Sequence, residues 1–195
     1  MFSDLIEAGC DEAGRGCLAG PVYAAAVVLP PDYRNKNLND SKQVSHQMRL
    51  QLRDEILHDA LSFAVAFVDE IEIDRINILN ASILAMHKSL IQLKLKPEHI
   101  LIDGNRFKPF QNIPFTTVVK GDEKFMNIAA ASILAKTSRD LFMENLHLQF
   151  PIYNWKQNKG YPTLEHREAF LMHGPSEFHR KSFSLKPKQI KLSLQ

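Results

Sequence analysis

With 195 residues, 45% of them hydrophobic and 24% charged, the chain can build one full core but hardly a second. No apolar run reaches the ~18 residues of a membrane span, and the N-terminus MFSDLIEAG lacks a basic and apolar leader, so a cytoplasmic protein is expected. Net charge is only +2 but is uneven: five basic residues and no acid follow from Arg180 onward, leaving 19 basic against 22 acidic residues before it.

In chain order, LIEAGC (5–10) and PVYAAAVVL (21–29) read as strands, the second opening on a proline where a strand tolerates one. A polar loop (30–44) follows, and Ser45 can cap a helix running to about His58. LSFAVAFV (61–68) is a third strand. From Asn77 to Leu95, apolar residues alternate at spacings of four and three, the pattern of a core-facing helix, with His87 at its rim. HILID (99–103) and FTTVV (115–119) are short strands, and a long helix is expected directly after Asp122, ending at Pro151. A polar aromatic loop, YNWKQNKGYPT, leads to a last helix closed by Gly174 and Pro175. Strands first alone and then interleaved with helices imply an α/β fold, a mixed sheet flanked by helices.

Acids stand at three of these strand ends: Asp11 with Glu12, Asp103, and Asp122. If the first, fourth and fifth strands run parallel, all four carboxylates collect on one rim, where α/β sheets place their sites. Neighbours on a regular strand face opposite ways, so Asp11 and Glu12 can share a site only if the backbone leaves the strand there or one helps through its carbonyl. Gly9, Gly14 and Gly16 allow such a departure. Four carboxylates without a Cys/His cluster call for hard cations, Mg²⁺ or Mn²⁺, and a pair of ions suits in-line displacement at phosphate. The two cysteines, Cys10 and Cys17, are expected to be reduced thiols. Gly14-x-Gly16-x-x-Ala19 also fits a dinucleotide-binding fingerprint, but Pro21 and a β-prone run stand where that motif needs a helix.

DEAGRG followed by LAGPV resembles the opening motif of the type 2 ribonuclease H (ribonuclease HII) family. The resemblance continues in order through NDSK (39–42), IDGN (102–105), VKGDEK (119–124), IAAASILAKTSRD (128–140), KGYPTLEH (159–166) and HRKSF (179–183). Cys17 stands where the family pattern has proline. The short N-terminus argues against the sibling type with an extra substrate-binding domain, and type 1 enzymes lack the adjacent Asp-Glu pair. The resemblance implies a ribonuclease H-like, five-stranded mixed sheet with a helical C-terminal part from about residue 141, in one catalytic domain (1–184) with a basic tail (185–195).

It further implies an endoribonuclease that hydrolyses the RNA strand of RNA–DNA hybrids and cuts 5′ of ribonucleotides embedded in duplex DNA, leaving 3′-hydroxyl and 5′-phosphate ends. Such an enzyme would serve ribonucleotide excision repair. Asp11, Glu12, Asp103 and Asp122 would bind two ions, with Asp11 bridging them. Gly14, Arg15 and Gly16 would set backbone groups against the ribose 2′-hydroxyl, and Tyr161 would pack on the next sugar. Lys42, Lys120, Lys124, Arg139 and Arg180 are candidate phosphate contacts; Ser41, His166 and His179 receive no chemistry. The alternatives are another metal-dependent nuclease of the same fold and a non-catalytic nucleic-acid-binding module. The tail, KQIKLSLQ (188–195), faintly resembles sliding-clamp peptides, though an edge strand or unstructured end is the simpler reading. A monomer is expected.

Overall fold

A computed structural model of the chain describes residues 5–38 and 45–183. Five strands, β1 (Glu7–Ala13), β2 (Val22–Val28), β3 (Ser62–Val68), β4 (His99–Asp103) and β5 (Phe115–Val118), form one sheet in the order β3-β2-β1-β4-β5. β1, β2 and β3 are antiparallel neighbours, whereas β1, β4 and β5 run parallel. The carboxyl ends of the three acid-bearing strands therefore do share one rim. Among the described residues, no helix is long and apolar enough to cross a membrane.

Helices cover both faces. α1 (His46–Asp59) starts where Ser45 accepts a hydrogen bond from the Met48 N–H, and it buries Leu52 and Ile56 completely. Each of those side chains contributes about 1.5–3 kcal/mol by leaving water. On the opposite face, α2 (Glu70–Ile76) and α3 (Ile78–Ile91) pack Ile73, Ala81, Ala85 and Met86 against Ala24, Ala26, Ile100 and Ile102. α4 (Met126–Gln149) lies over β1 and β2 on the α1 side. Alanines on both surfaces let it approach closely: at Gly9, an added Cβ would stand 2.1 Å from the carbonyl carbon of Asn127. The Asn127 amide spans the junction, accepting from Leu29 N–H and donating to Glu7 C=O, both at 3.0 Å.

The C-terminal part continues with α5 (Trp155–Asn158) and α6 (Leu164–His173). Trp155, Tyr153, Met143 and Leu146 gather there under Ala19, in a third apolar cluster. This cluster carries the segment after β1.

Four local expectations change. β1 does not end at Cys10 but runs to Ala13, because β2 continues to pair with it after β4 has stopped. The helix expected from Asn77 is preceded by α2, with Asn77 at φ 66° between them, and α3 stops at Ile91 rather than Leu95. Asp122 does not open the long helix; it sits in a 3₁₀ turn, Gly121–Glu123, and α4 begins four residues later. The polar aromatic loop contains α5.

Candidate active site

Register and parity decide where the acids point. The β1–β4 pairing steps from Glu7↔His99 to Cys10↔Ile102, so one further step sets Asp11 beside Asp103. Both have the parity of Gly9 and Leu101, on the α4 side of the sheet. Adjacent strands lie about 4.8 Å apart, so the buried Asp11 and the partly buried Asp103 become neighbours by construction. Ser132 of α4 lies close enough to Asp11 to favour its ionised form, and Asp11 accepts from the Glu12 N–H at 2.7 Å. Glu12 has the opposite parity, but β4 no longer flanks β1 at that level. Its carboxylate lies at the rim, pairs with Arg15 at 2.9 Å and still feels the charge of Asp103. Thus the adjacent pair meets one site at the end of a strand that stays regular through both residues, and the glycine turn comes after them.

Asp103 Oδ1 accepts the Gly121 N–H at 2.7 Å, which ties the end of β4 to the turn carrying Asp122. Asp122 is only 3% exposed. Burial, followed by the charges of Glu12 and Asp103, pushes the Asp11 carboxyl well above the usual carboxylate range, against the pull of Ser132 and the Glu12 N–H. Burial likewise raises Glu12, with Arg15 opposing it. Such crowding favours either proton uptake or a cation.

Among the described residues, no three His, Cys, Asp or Glu side chains form a ready-made ion cage. The acids instead form an all-oxygen rim of like, mutually repelling charges, with Asp11 and Asp122 buried and Glu12 and Asp103 partly buried. That donor set fits hard divalent ions of the Mg²⁺ or Mn²⁺ type.

Beside Glu12 opens a cleft of about 430 Å³, lined by Gly14, Arg15, Gly16, Arg49, Ser132, Lys136 and Tyr161 among others. Of the four acids only Glu12 lines it. The loop on its wall has φ +97° at Gly14, whereas Gly16 is exposed and has open space where a side chain would go. Tyr161, 39% exposed, faces the same cleft and neighbours the Cys17 thiol, so the departure from the family proline sits beside a predicted site residue.

Arg139 and Arg180, candidates for phosphate contact, are 1% and 2% exposed and direct their donors into the protein. Arg139 donates to the carbonyls of Pro21, Lys159 and Ala19 at 2.8–3.1 Å. Arg180 donates to those of Gly14, Arg15 and Gly20 at 2.7–3.0 Å. Burial brings the Arg180 guanidinium down to about 10, which leaves it charged at neutral pH. Two buried cations thus hold the loop by its carbonyls, a support rather than a surface offered to a phosphate. Lys120 and Lys124 remain exposed, the former beside Glu123, the latter donating to Val119 C=O. Lys42, Ser41 and residues 188–195 lie outside the described residues.

Sequence reasoning missed Ser132, Arg49 and Lys136. Ser132 and Lys136 share a helical face at i, i+4, a signal available once α4 is recognised, but nothing in the sequence aims that face at Asp11. Arg49 reaches the cleft from α1, across the fold.

A mixed sheet with acids at the carboxyl ends of its parallel strands, beside a backbone-lined cleft, defines a ribonuclease H-like nuclease. The model of the family Ribonuclease HII matches residues 8–186. A ribonuclease HII of Parabacteroides distasonis is 61% identical over 192 residues, spanning 98% of this chain and 96% of the relative. The ribonuclease HII solved in a PCNA:RNase HII complex from Archaeoglobus fulgidus superposes with a TM-score of 0.80 at 28% identity, over 95% of this chain and 98% of that one. Bst-RNase HIII in complex with Mn²⁺ shares the fold, with a TM-score of 0.70 at 19% identity, over 89% of this chain and 64% of that one. The chain belongs to the ribonuclease HII family. It is accordingly a metal-dependent endoribonuclease, a hydrolase.

Proposed function

We propose that the chain cleaves the RNA strand of RNA–DNA hybrids and cuts 5′ of ribonucleotides embedded in duplex DNA, leaving 3′-hydroxyl and 5′-phosphate ends. The observation that carries this reading is the juxtaposition of Asp11 and Asp103 on one sheet face, with Glu12 and the Asp122 turn at the same rim and a backbone-lined cleft alongside.

Asp11, Glu12, Asp103 and Asp122 would hold two divalent ions, which when bound supply an activated water and neutralise charge on the leaving oxygen. The Glu12 N–H holds the Asp11 carboxylate and the Gly121 N–H that of Asp103, with Ser132 nearby favouring the ionised form of Asp11. Exposed backbone at Arg15 and Gly16 can approach a sugar closely, and the 2′-hydroxyl is the group that separates RNA from DNA at a single position. Tyr161 presents its ring across the same cleft, to pack on the adjoining sugar. Lys120 and Lys124, exposed on either side of Asp122, would meet backbone phosphates, which fix register without reading sequence. A nuclease indifferent to ribose would have no use for this loop and ring.

The direct test is a DNA duplex with one embedded ribonucleotide, incubated with and without a chelator. Cleavage 5′ of the ribonucleotide that stops on chelation is expected. Equal cutting of an all-DNA duplex, or cutting in chelator, would contradict the reading. Clamp binding through residues 188–195 is a second, separable proposal, supported by the clamp complex of the Archaeoglobus fulgidus relative. Deleting those residues should abolish clamp pull-down, and unchanged capture would remove it.

A further inference from the structure

Beneath Tyr161 lies a buried pair of histidines that the chemistry above does not use. His166 is fully buried and His179 is 3% exposed. Their hydrogen positions follow from their neighbours, because some of those neighbours can only donate. The Ser176 N–H meets His179 Nδ1 at 3.0 Å, so that nitrogen accepts and neutral His179 carries its hydrogen on Nε2. His179 Nε2 lies 3.1 Å from His166 Nε2, and the Trp155 indole N–H donates to this same His166 nitrogen at 3.0 Å. His166 Nε2 is therefore bare, with two donors converging on it. The His166 hydrogen must lie on Nδ1, which faces the Tyr161 carbonyl at 2.9 Å. One arrangement satisfies every group, and it points one way, from Ser176 through both imidazoles to the backbone of Tyr161.

We propose that His166 and His179 form a fixed-tautomer relay that positions Tyr161 against the sugar; this rests on the reading of Tyr161 given above. Both histidines are positioning residues, since neither lines the cleft. The relay also joins three segments of the site. His179 bridges to Ala19, Arg180 N–H donates to Leu18 C=O, and Leu18 N–H donates to Gly160 C=O. The Tyr161 carbonyl is held from a second side by the Thr163 N–H at 2.8 Å, and Thr163 caps the helix that carries His166. A phenylalanine would fill the volume of either ring. Only an imidazole fills it and directs a donor at that carbonyl.

Two measurements test this. In ¹⁵N-labelled protein, imidazole nitrogen shifts should show His166 protonated at Nδ1 and His179 at Nε2; the opposite tautomer on either would overturn the relay. In kinetics on a duplex with one ribonucleotide, His166→Phe should lower kcat about tenfold to a hundredfold with little change in KM, as a misplaced contact does. His166→Asn, whose amide can donate where Nδ1 did, should recover most of that loss. Because the relay acts through Tyr161, His166→Phe should cost nothing further once Tyr161→Ala is present. If Tyr161→Ala itself leaves cleavage unchanged, the reading of Tyr161 fails and takes the relay with it. If Tyr161→Ala slows cleavage but His166→Phe does not, or subtracts equally in both backgrounds, the relay alone is wrong.

Discussion

Alanine at the two glycines of the cleft loop should separate folding from recognition. At Gly14 the backbone has φ +97°, and an added Cβ would lie 2.0 Å from Arg139 Nε and 2.5 Å from its Cδ. The backbone strain costs about 1–2 kcal/mol for a residue with a side chain. The guanidinium must also shift, and it is bonded to the carbonyls of Pro21, Lys159 and Ala19. Hydrogen bonds to a charged group are worth about 1.5–3 kcal/mol each, so losing one brings the cost of Gly14→Ala to about 2.5–5 kcal/mol. With a urea slope of about 2 kcal/mol per molar, the unfolding midpoint should fall by about 1.2–2.5 M. Gly16 differs: no positive φ is required, and nothing lies within 4 Å of the position a Cβ would take. Gly16→Ala should stay within about 0.5 kcal/mol of wild type in stability. Its cleavage at a lone ribonucleotide should nevertheless drop about tenfold, because the methyl group stands where a sugar is to approach. A Gly14→Ala midpoint equal to wild type would refute the Arg139 clasp. A fully active Gly16→Ala would refute close backbone approach to the ribose.

Other expectations follow from the same geometry. Tyr161→Ala should slow cleavage at a single ribonucleotide by about tenfold to a hundredfold, equivalent to ~1–3 kcal/mol; an unchanged rate would leave Tyr161 a mere cover for the loop. Asp122→Asn should reduce turnover by on the order of a hundredfold or more while duplex binding measured by anisotropy survives, since the phosphate contacts remain. Stability should also depend on pH. Burial, with His166 next to it, brings His179 down to about 4 from its ordinary 6.5, so the unfolded chain binds this proton more readily. The contribution is fully present above pH 6.5 and is lost as pH falls toward about 4, amounting to at most ~3 kcal/mol. His179→Phe should flatten that part of the stability–pH curve, read from urea midpoints; an unchanged slope would contradict a neutral buried His179.

Much of the scaffold was legible because short-range rules govern it. Ser45 caps α1, and the apolar spacing of α3 faces the core as expected. The parallel run of β1, β4 and β5, assumed from acids at their ends, is what brings those acids to one rim. The end of β1 was misplaced because strand length there is set by β2, a partner the local sequence does not announce. Arg139 and Arg180 illustrate the harder case. A basic residue in a nucleic-acid enzyme reads as a phosphate contact, yet these two are held among carbonyls supplied mostly by segments more than a hundred residues away. Ser132 and the His166–His179 pair were equally hidden, since their partners are set by tertiary packing and, for the histidines, by which neighbour can only donate.

The central claim is that four acids from three strand ends serve common divalent ions. Anomalous diffraction from crystals soaked in Mn²⁺ tests it most directly. Strong peaks are expected in contact with carboxylate oxygens of Asp11, Glu12, Asp103 and Asp122, with Asp11 touching more than one. Peaks that leave out Asp103 or Asp122, or no peak at this rim, would contradict it.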